Sequence, residues 1–252
     1  MDLGLKGTKA IITGATKGIG RAIAESLTDE GASVAICSRN ADEVAKAVSE
    51  LSAKGVKVVG DAVDIGDGDA YKAWLAKAAD ELGGCDVFVA NVSGGNAPGE
   101  QGWRNNFEFD VLGTVRGVEV LQPHLEKSGK GNIVVISTTA ALEHFLGAGP
   151  YGAMKAGLIN YASALSVDLA PKGIRVNTVS PGPIFIEGGA WNYIKDNMTP
   201  LYEKILGEIP MGRMGKAEEI GDQVAFLVSP RGGFTSGANI VIDGAFTKRV
   251  QF

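Results

Sequence analysis

The chain has little of what several function classes require. Its 252 residues include only two cysteines and two histidines. Cys37 and Cys85 fall in or beside apolar runs without metal-ligand spacing, so two buried free thiols in a reducing compartment account for them. His124 and His144 have no acidic pair at ligand spacing, which leaves no metal site to expect. No run approaches the ~20 apolar residues of a membrane span, and residues 1–6 lack the apolar stretch of a signal peptide. The expectation is a soluble cytoplasmic protein that engages no membrane. A net charge of −5 offers no basic face for nucleic acid. With no Gly-x-Ser-x-Gly elbow, a serine hydrolase has no nucleophile here.

What is abundant is glycine, 36 residues of 252, without a collagen-like period; tight turns and close backbone approaches explain it. Hydrophobic residues make up 45% of the chain, enough to bury a sizeable core. Short β-branched runs at 10–13, 34–37, 56–59, 87–90, 133–137, 175–179 and 240–242 alternate with segments of 3.6-residue periodicity. In the first of these, Ile19, Ile23 and Leu27 share one face, Glu25 and Asp29 lie outside it, and Gly31 stops the helix. Strand and helix alternating in this way predict an α/β fold: a doubly wound, Rossmann-type parallel sheet of seven strands in a single domain over 1–252. The rhythm breaks only at about 185–216, a segment rich in Gly, Pro and aromatics that reads as a substrate loop.

Thr13-Gly14-Ala15-Thr16-Lys17-Gly18-Ile19-Gly20 stands where the first strand hands over to a helix. Gly14 permits the tight turn, Gly18 lets backbone approach a phosphate, and Gly20 allows close helix–strand packing. The helix N-terminus then faces a pyrophosphate with free N–H groups. At the end of the second strand, where an acid would hold the ribose hydroxyls of NAD(H), there is Ser38 followed by Arg39. Arg can hold a phosphate bidentately, and Lys17 could reach the same group. This predicts NADP(H) over NAD(H).

A second motif, Tyr151-Gly152-Ala153-Met154-Lys155, places a phenol and an ammonium at i and i+4, on one helix face. Reducing a carbonyl needs a hydride on carbon and a proton on oxygen. A free phenol is a poor proton relay at neutral pH; a nearby ammonium favours the phenolate and makes the relay workable. No other Tyr in the chain has Lys four residues on.

With both motifs placed, the chain resembles the short-chain dehydrogenase/reductase family over essentially its full length. The resemblance is carried by residues 13–20, Asp64 after the third strand, Asn91 after the fourth, Tyr151 and Lys155, Pro181-Gly182 after the sixth strand, and Asp243-Gly244. It implies hydride exchange with a nicotinamide, Tyr151 as general acid/base, Lys155 tuning it and holding the nicotinamide ribose, and a homotetramer or homodimer. Cofactor contacts are implied for Gly14, Thr16, Lys17, Gly18, Ile19, Gly20, Ser38, Arg39, Asp64, Ile65, Asn91, Val92, Tyr151, Lys155, Pro181, Gly182 and Ile184. The resemblance also implies a small carbonyl compound or its alcohol as substrate.

The chain departs from the family pattern in four places. Counting back thirteen residues from Tyr151, where the family has Ser, gives Thr138, with Ser137 as the fallback. A predicted helix over 103–127 should carry a relay Asn and reads Asp110 instead. The stretch after the fourth strand reads Asn91-Val92-Ser93-Gly94. Ile186 stands where the family often has Thr. His144, Phe145, Phe185 and Trp191, with Leu146, Tyr193, Met198 and Met211, are expected to wall the substrate cleft, which favours an apolar or aromatic carbonyl compound. Two alternatives accompany this reading. One is a 3-oxoacyl-thioester reductase, supported by Lys127, Lys130 and Lys172. The other is a non-catalytic NADPH-binding regulator, motivated by Asp110 and Thr138.

Overall fold

The computed structural model describes residues 2–144 and 147–250; Phe145 and Leu146 of the expected cleft wall lie outside them. Seven strands form one parallel sheet in the order β3-β2-β1-β4-β5-β6-β7. They are β1 Lys9–Thr13, β2 Ser33–Ser38, β3 Val58–Ala62, β4 Val87–Ala90, β5 Gly131–Ile136, β6 Ile174–Pro181 and β7 Asn239–Ile242. Nine α-helices accompany them among the described residues: α1 Gly18–Asp29, α2 Ala41–Ser52, α3 Gly68–Leu82, α4 Gly99–Asn106, α5 Gly113–Ser128, α6 Pro150–Leu169, α7 Ala190–Asn197, α8 Thr199–Glu208 and α9 Ala217–Val228.

Successive strand residues point to opposite faces of a sheet, and both faces here are apolar. Ile11, Ala35, Phe88, Ile133, Val135 and Val176 pack on one side against Leu75 of α3, Leu121 of α5 and Leu158 of α6. Ala10, Ile12, Val34, Ile36, Val89 and Val134 pack on the other against Ile23 of α1, Leu51 of α2 and Val224 of α9. Two-sided burial is why these strands read as continuous apolar runs rather than as alternating ones. The doubly wound expectation therefore holds.

Most strand ends fall within two residues of those expected, and two elements differ more. The third strand begins and ends two to three residues later than 56–59, taking in Gly60 and Asp61, residue types depleted in strands. Gly60 is there for space: a Cβ would fall 2.8 Å from Val48 Cγ2 and 2.9 Å from Val44 Cγ1, so glycine lets α2 sit against the strand. The helix expected over 103–127 begins at Gly99 and is interrupted by a π turn over Phe107–Leu112 before α5 continues to Ser128. Such turns leave no trace in hydrophobic periodicity and are concentrated at functional sites.

The sheet order reverses direction between β1 and β4. In open α/β sheets that switch point opens a crevice at the carboxyl ends of the strands. The ends concerned here carry Gly14 and Asn91.

Candidate active site

At the switch point the chain is knotted by short hydrogen bonds. Asn91 donates its side-chain N–H groups to the carbonyls of Thr13 (3.0 Å) and Gly14 (3.1 Å), and its backbone N–H to Thr13 Oγ1 (3.0 Å). Gly14 adopts φ +63° and Gly18 φ +60°, conformations that suit glycine. Gly20 is needed for a different reason. A Cβ there would meet the Gly14 carbonyl oxygen at 2.3 Å and Asn91 Nδ2 at 2.5 Å, so α1 and the turn could not close on each other.

The start of α1 has no capping side chain and no acid in its first turn. By contrast, Asn40 caps α2 and Asp67 caps α3. The first N–H groups of α1 are thus left for an external acceptor, and the dipole there favours an anion.

A cavity of about 340 Å³ extends from this turn, lined by Gly14, Thr16, Lys17, Ser38, Arg39, Asp64, Ile65, Asn91 and Val92. Most of the expected cofactor residues on this side therefore share one space. Arg39 is exposed at its edge. Lys17 lies 3.6 Å from Glu43, which also accepts a hydrogen bond from Thr16 Oγ1 at 3.2 Å. Glu43 escaped the sequence reading because a first-turn acid on a helix is ordinary. Cys37 also lines the cavity; burial raises its thiol pKa to about 12, so it is no nucleophile at neutral pH.

A further cavity of about 310 Å³ shares Asn91 and Ser93 with the first. It is lined by Ile19, Thr138, Tyr151, Lys155, Pro181, Gly182, Ile184, Ile186 and Trp191. Residues separated by more than 150 positions thus meet in one cleft. Ser137 and Thr138 both reach it, but their hydroxyls are used differently. Ser137 donates to the Lys155 carbonyl at 3.2 Å, committing its proton to α6. Thr138 Oγ1 accepts from Ala140 N–H at 3.2 Å, so its own proton remains for an oxygen in the cleft.

Lys155 is 3% exposed and Asp110 1%. The ammonium donates to the Ile136 carbonyl at 2.8 Å and, more weakly, to that of Val92 at 3.4 Å. Asp110 Oδ1 lies 2.9 Å from the same nitrogen. That contact is an ion pair without hydrogen-bond alignment, so Oδ1 keeps an acceptor position unused. Asp110 Oδ2 accepts from Gly94 N–H at 2.7 Å, and its carbonyl accepts from Thr114 Oγ1 at 2.7 Å. One turn earlier, Asn106 donates to the carbonyls of Gly95 and Gly102, each at 2.9 Å. Asp110 and Asn106 together clamp the loop at 94–95. The Gly94-Gly95 pair and the i, i+4 polar spacing were the available signals for that clamp.

On the substrate side the apolar wall is made largely by other residues than expected, Ile184, Ile186 and Ile194 beside Trp191. Phe185 packs instead, partly buried, against a small core formed by Ile205, Ile209 and Met214 of the segment together with Phe246. Tyr193, Met198 and Met211 are largely exposed. Trp191 does line the cleft, and His144 lines a neighbouring cavity. The 185–216 segment has its own helices α7 and α8, so its apolar residues divide: Ile186, Trp191 and Ile194 line the cleft, while Phe185 packs away from it. Its far end is held by Arg213, which pairs with Glu219 and holds that carboxyl down to about 2.

The expected basic cluster dissolves. Lys130 lies 3.5 Å from Asp86 and Lys172 2.9 Å from Glu126. Lys130 precedes β5 and Lys172 precedes β6, at the end of the sheet opposite the cleft. Among the described residues no group of three or more His, Cys, Asp or Glu could hold a metal, and no helix is long and apolar enough to cross a membrane.

A family model described as enoyl-(acyl carrier protein) reductase matches residues 14–247. The isoepoxydon dehydrogenase of Penicillium expansum is 36% identical over 260 aligned positions, which cover all of this chain and 99% of that protein. The chain belongs to the short-chain dehydrogenase/reductase family. It is 32% identical to the 3-oxoacyl-[acyl-carrier-protein] reductase of Staphylococcus aureus, with 95% and 98% of the two chains covered. Among solved structures, the L-sorbose reductase of Gluconobacter frateurii complexed with NADPH and L-sorbose superposes with a TM-score of 0.91. Its identity is 29%, with 99% and 100% coverage. As a member of the short-chain dehydrogenase/reductase family, the protein is an NAD(P)-dependent oxidoreductase of CH–OH and C=O groups.

Proposed function

We propose that this protein is an NADPH-dependent reductase of a small carbonyl compound, with Tyr151 as the proton donor. The observation that carries the reading is the convergence of Thr138, Tyr151 and Lys155 on one cleft, with Lys155 buried and fixed. The glycine cradle, the uncapped start of α1 and the Asn91 clamp fit a dinucleotide pyrophosphate. Exposed Arg39 and Lys17 favour one bearing a 2′-phosphate, as in the sorbose reductase complex.

When bound, the reduced nicotinamide supplies the hydride that the carbonyl carbon accepts. The chain's residues do the rest. Thr138 donates a hydrogen bond that orients the carbonyl oxygen. As the C=O π pair moves onto that oxygen, Tyr151 transfers its phenolic proton to it, forming the O–H bond of the alcohol. Lys155 places positive charge beside the phenolate left behind, which regains its proton from solvent. Asp110 holds Lys155 in place. Its carboxylate makes the buried pair neutral, which lowers the desolvation penalty of an isolated ammonium.

The test follows NADPH and NADH oxidation by absorbance against ketones, β-keto esters, quinones and acyl thioesters. NADPH-dependent turnover of a ketone is expected. NADPH binding without turnover of any of them would instead favour a cofactor-binding regulator. The thioester-reductase alternative loses the basic cluster as support, because Lys130 and Lys172 pair with acids at the far end of the sheet, and rests instead on the 32% identity to the 3-oxoacyl-[acyl-carrier-protein] reductase.

A further inference from the structure

A cavity of about 350 Å³ shares Tyr151 and Asn96 with the catalytic cleft but none of the glycine-turn residues. Its side-chain walls include Asn96, Trp103, Glu143 and His144. The frame is tightly made. A Cβ on Gly102 would fall 1.8 Å from the Ala97 carbonyl oxygen, and one on Gly152 would fall 2.5 Å from that of Ala140. Backbone contacts that only glycine allows therefore hold α4 against the 95–98 loop and α6 against the segment after β5.

Of the polar groups, Glu143 is held by a hydrogen bond, and Asn96 is an exposed side chain beside an anchored stretch of backbone. Asn96 follows Gly94 and Gly95, the two residues clamped by Asp110 and Asn106. Glu143 is half-buried, and its Oε1 accepts the Lys248 backbone N–H at 2.8 Å. Its other oxygen carries no hydrogen bond among the described residues. Trp103 is 45% exposed and offers an indole to the same space.

An apolar ketone seated here would set the free oxygen of Glu143 and the Asn96 amide against hydrocarbon, and that is costly for the charged group even with Oε1 bonded to Lys248. A compound with several hydroxyls meets the opposite situation. Its O–H groups donate to Glu143 and exchange hydrogen bonds with Asn96, while its C–H face lies on Trp103.

We propose that this cavity is a hydroxyl-recognising subsite, and that the substrate is a small polyhydroxylated ketone or aldehyde whose carbonyl sits at Tyr151. This rests on the reductase reading above, and it goes against the apolar substrate expected from sequence.

The test compares kcat/KM for a six-carbon 2-ketose and for 2-hexanone, with NADPH, in the full-length chain and in Glu143→Gln and Trp103→Phe. The ketose is expected to be preferred at least tenfold, since a site built for hydroxyls rejects analogues lacking them. In Glu143→Gln that preference should fall at least tenfold, with the change mainly in KM. A wild-type preference for 2-hexanone, or an unaltered preference in Glu143→Gln, would overturn the proposal. So would an aminoketone outrunning the ketose, because that would make Glu143 an ammonium site.

If no ketone oxidises NADPH, the reductase reading fails, and binding then decides the subsite. Titrating the NADPH-bound protein with the ketose should perturb tryptophan fluorescence in the wild type and lose most of that signal in Trp103→Phe. No perturbation up to about 100 mM ketose, far above the micromolar-to-millimolar range of working sites, would overturn the subsite on its own.

Discussion

The cleft has two halves, made of different materials. Between β1 and β4 it is mostly backbone: glycines, an uncapped helix start, and an asparagine that ties two strand ends together. Between β5 and α7 it is mostly side chain, drawn from the end of β5, α6, the segment after β6 and α7, with the π turn behind Lys155. Backbone geometry tolerates few alternatives, because a Cβ at Gly20 collides with carbonyl oxygen. Side chains can be exchanged singly, and Asp110, Thr138 and Ile186 are such exchanges. A cofactor half of this kind is expected to be generic, and a substrate half to be individual.

Three substitutions test that division, beginning with the largest effect. Tyr151→Phe removes the proton donor and nothing from the glycine half. Turnover should fall by about 10²–10⁴-fold, with NADPH affinity within about twofold of the parent by fluorescence titration. Unchanged turnover would remove Tyr151 from its role and erase the boundary between the halves.

Next comes Asp110→Asn, which acts on the substrate half through stability. Breaking one partner of a buried ion pair costs about 3–5 kcal/mol, so Tm should drop by roughly 6–12 °C. Asp110→Asn combined with Lys155→Met should recover much of that loss, because no buried charge is left unpaired. Additive losses in the double variant would show that the 2.9 Å contact carries no coupling.

The smallest effect belongs to Arg39→Ala. NADPH should bind roughly tenfold more weakly, the equivalent of one charge-assisted contact of about 1.5–3 kcal/mol, while NADH binding stays within about twofold. Equal losses for both cofactors would mean that Arg39 plays no part in reading the 2′-phosphate.

The same division explains what could be read from sequence. The alternation of strands and helices, the helix faces and the glycine turn follow from periodicity and from steric rules that depend on neighbours in the chain, so the seven strands and Gly14, Gly18 and Gly20 were legible. Tyr151 and Lys155 were legible for the same reason, being four residues apart on one helix. Ser137 and Thr138 could be told apart only once the hydroxyl of Ser137 was seen bonded to the Lys155 carbonyl, a contact across 18 residues of chain. Phe185 was misplaced because the 185–216 segment builds a small core with the distant Phe246. Asn96, Trp103 and Glu143 went unnoticed because nothing local marks them. Their association depends on where the π turn and the 95–98 loop bring them.

That π turn has an evolutionary and engineering consequence. A turn closed from i to i+5 holds one residue more than an α-helical turn, so the stretch Phe107–Leu112 carries a residue that the long helix does not require. Deleting one position there should give a regular helix in which α4 and α5 keep their packing faces, so the sheet and both cores survive. The carboxylate of residue 110, however, would no longer stand against Lys155 and Gly94. A length change of a single residue would then separate foldability from catalysis, yielding an intact but silent scaffold.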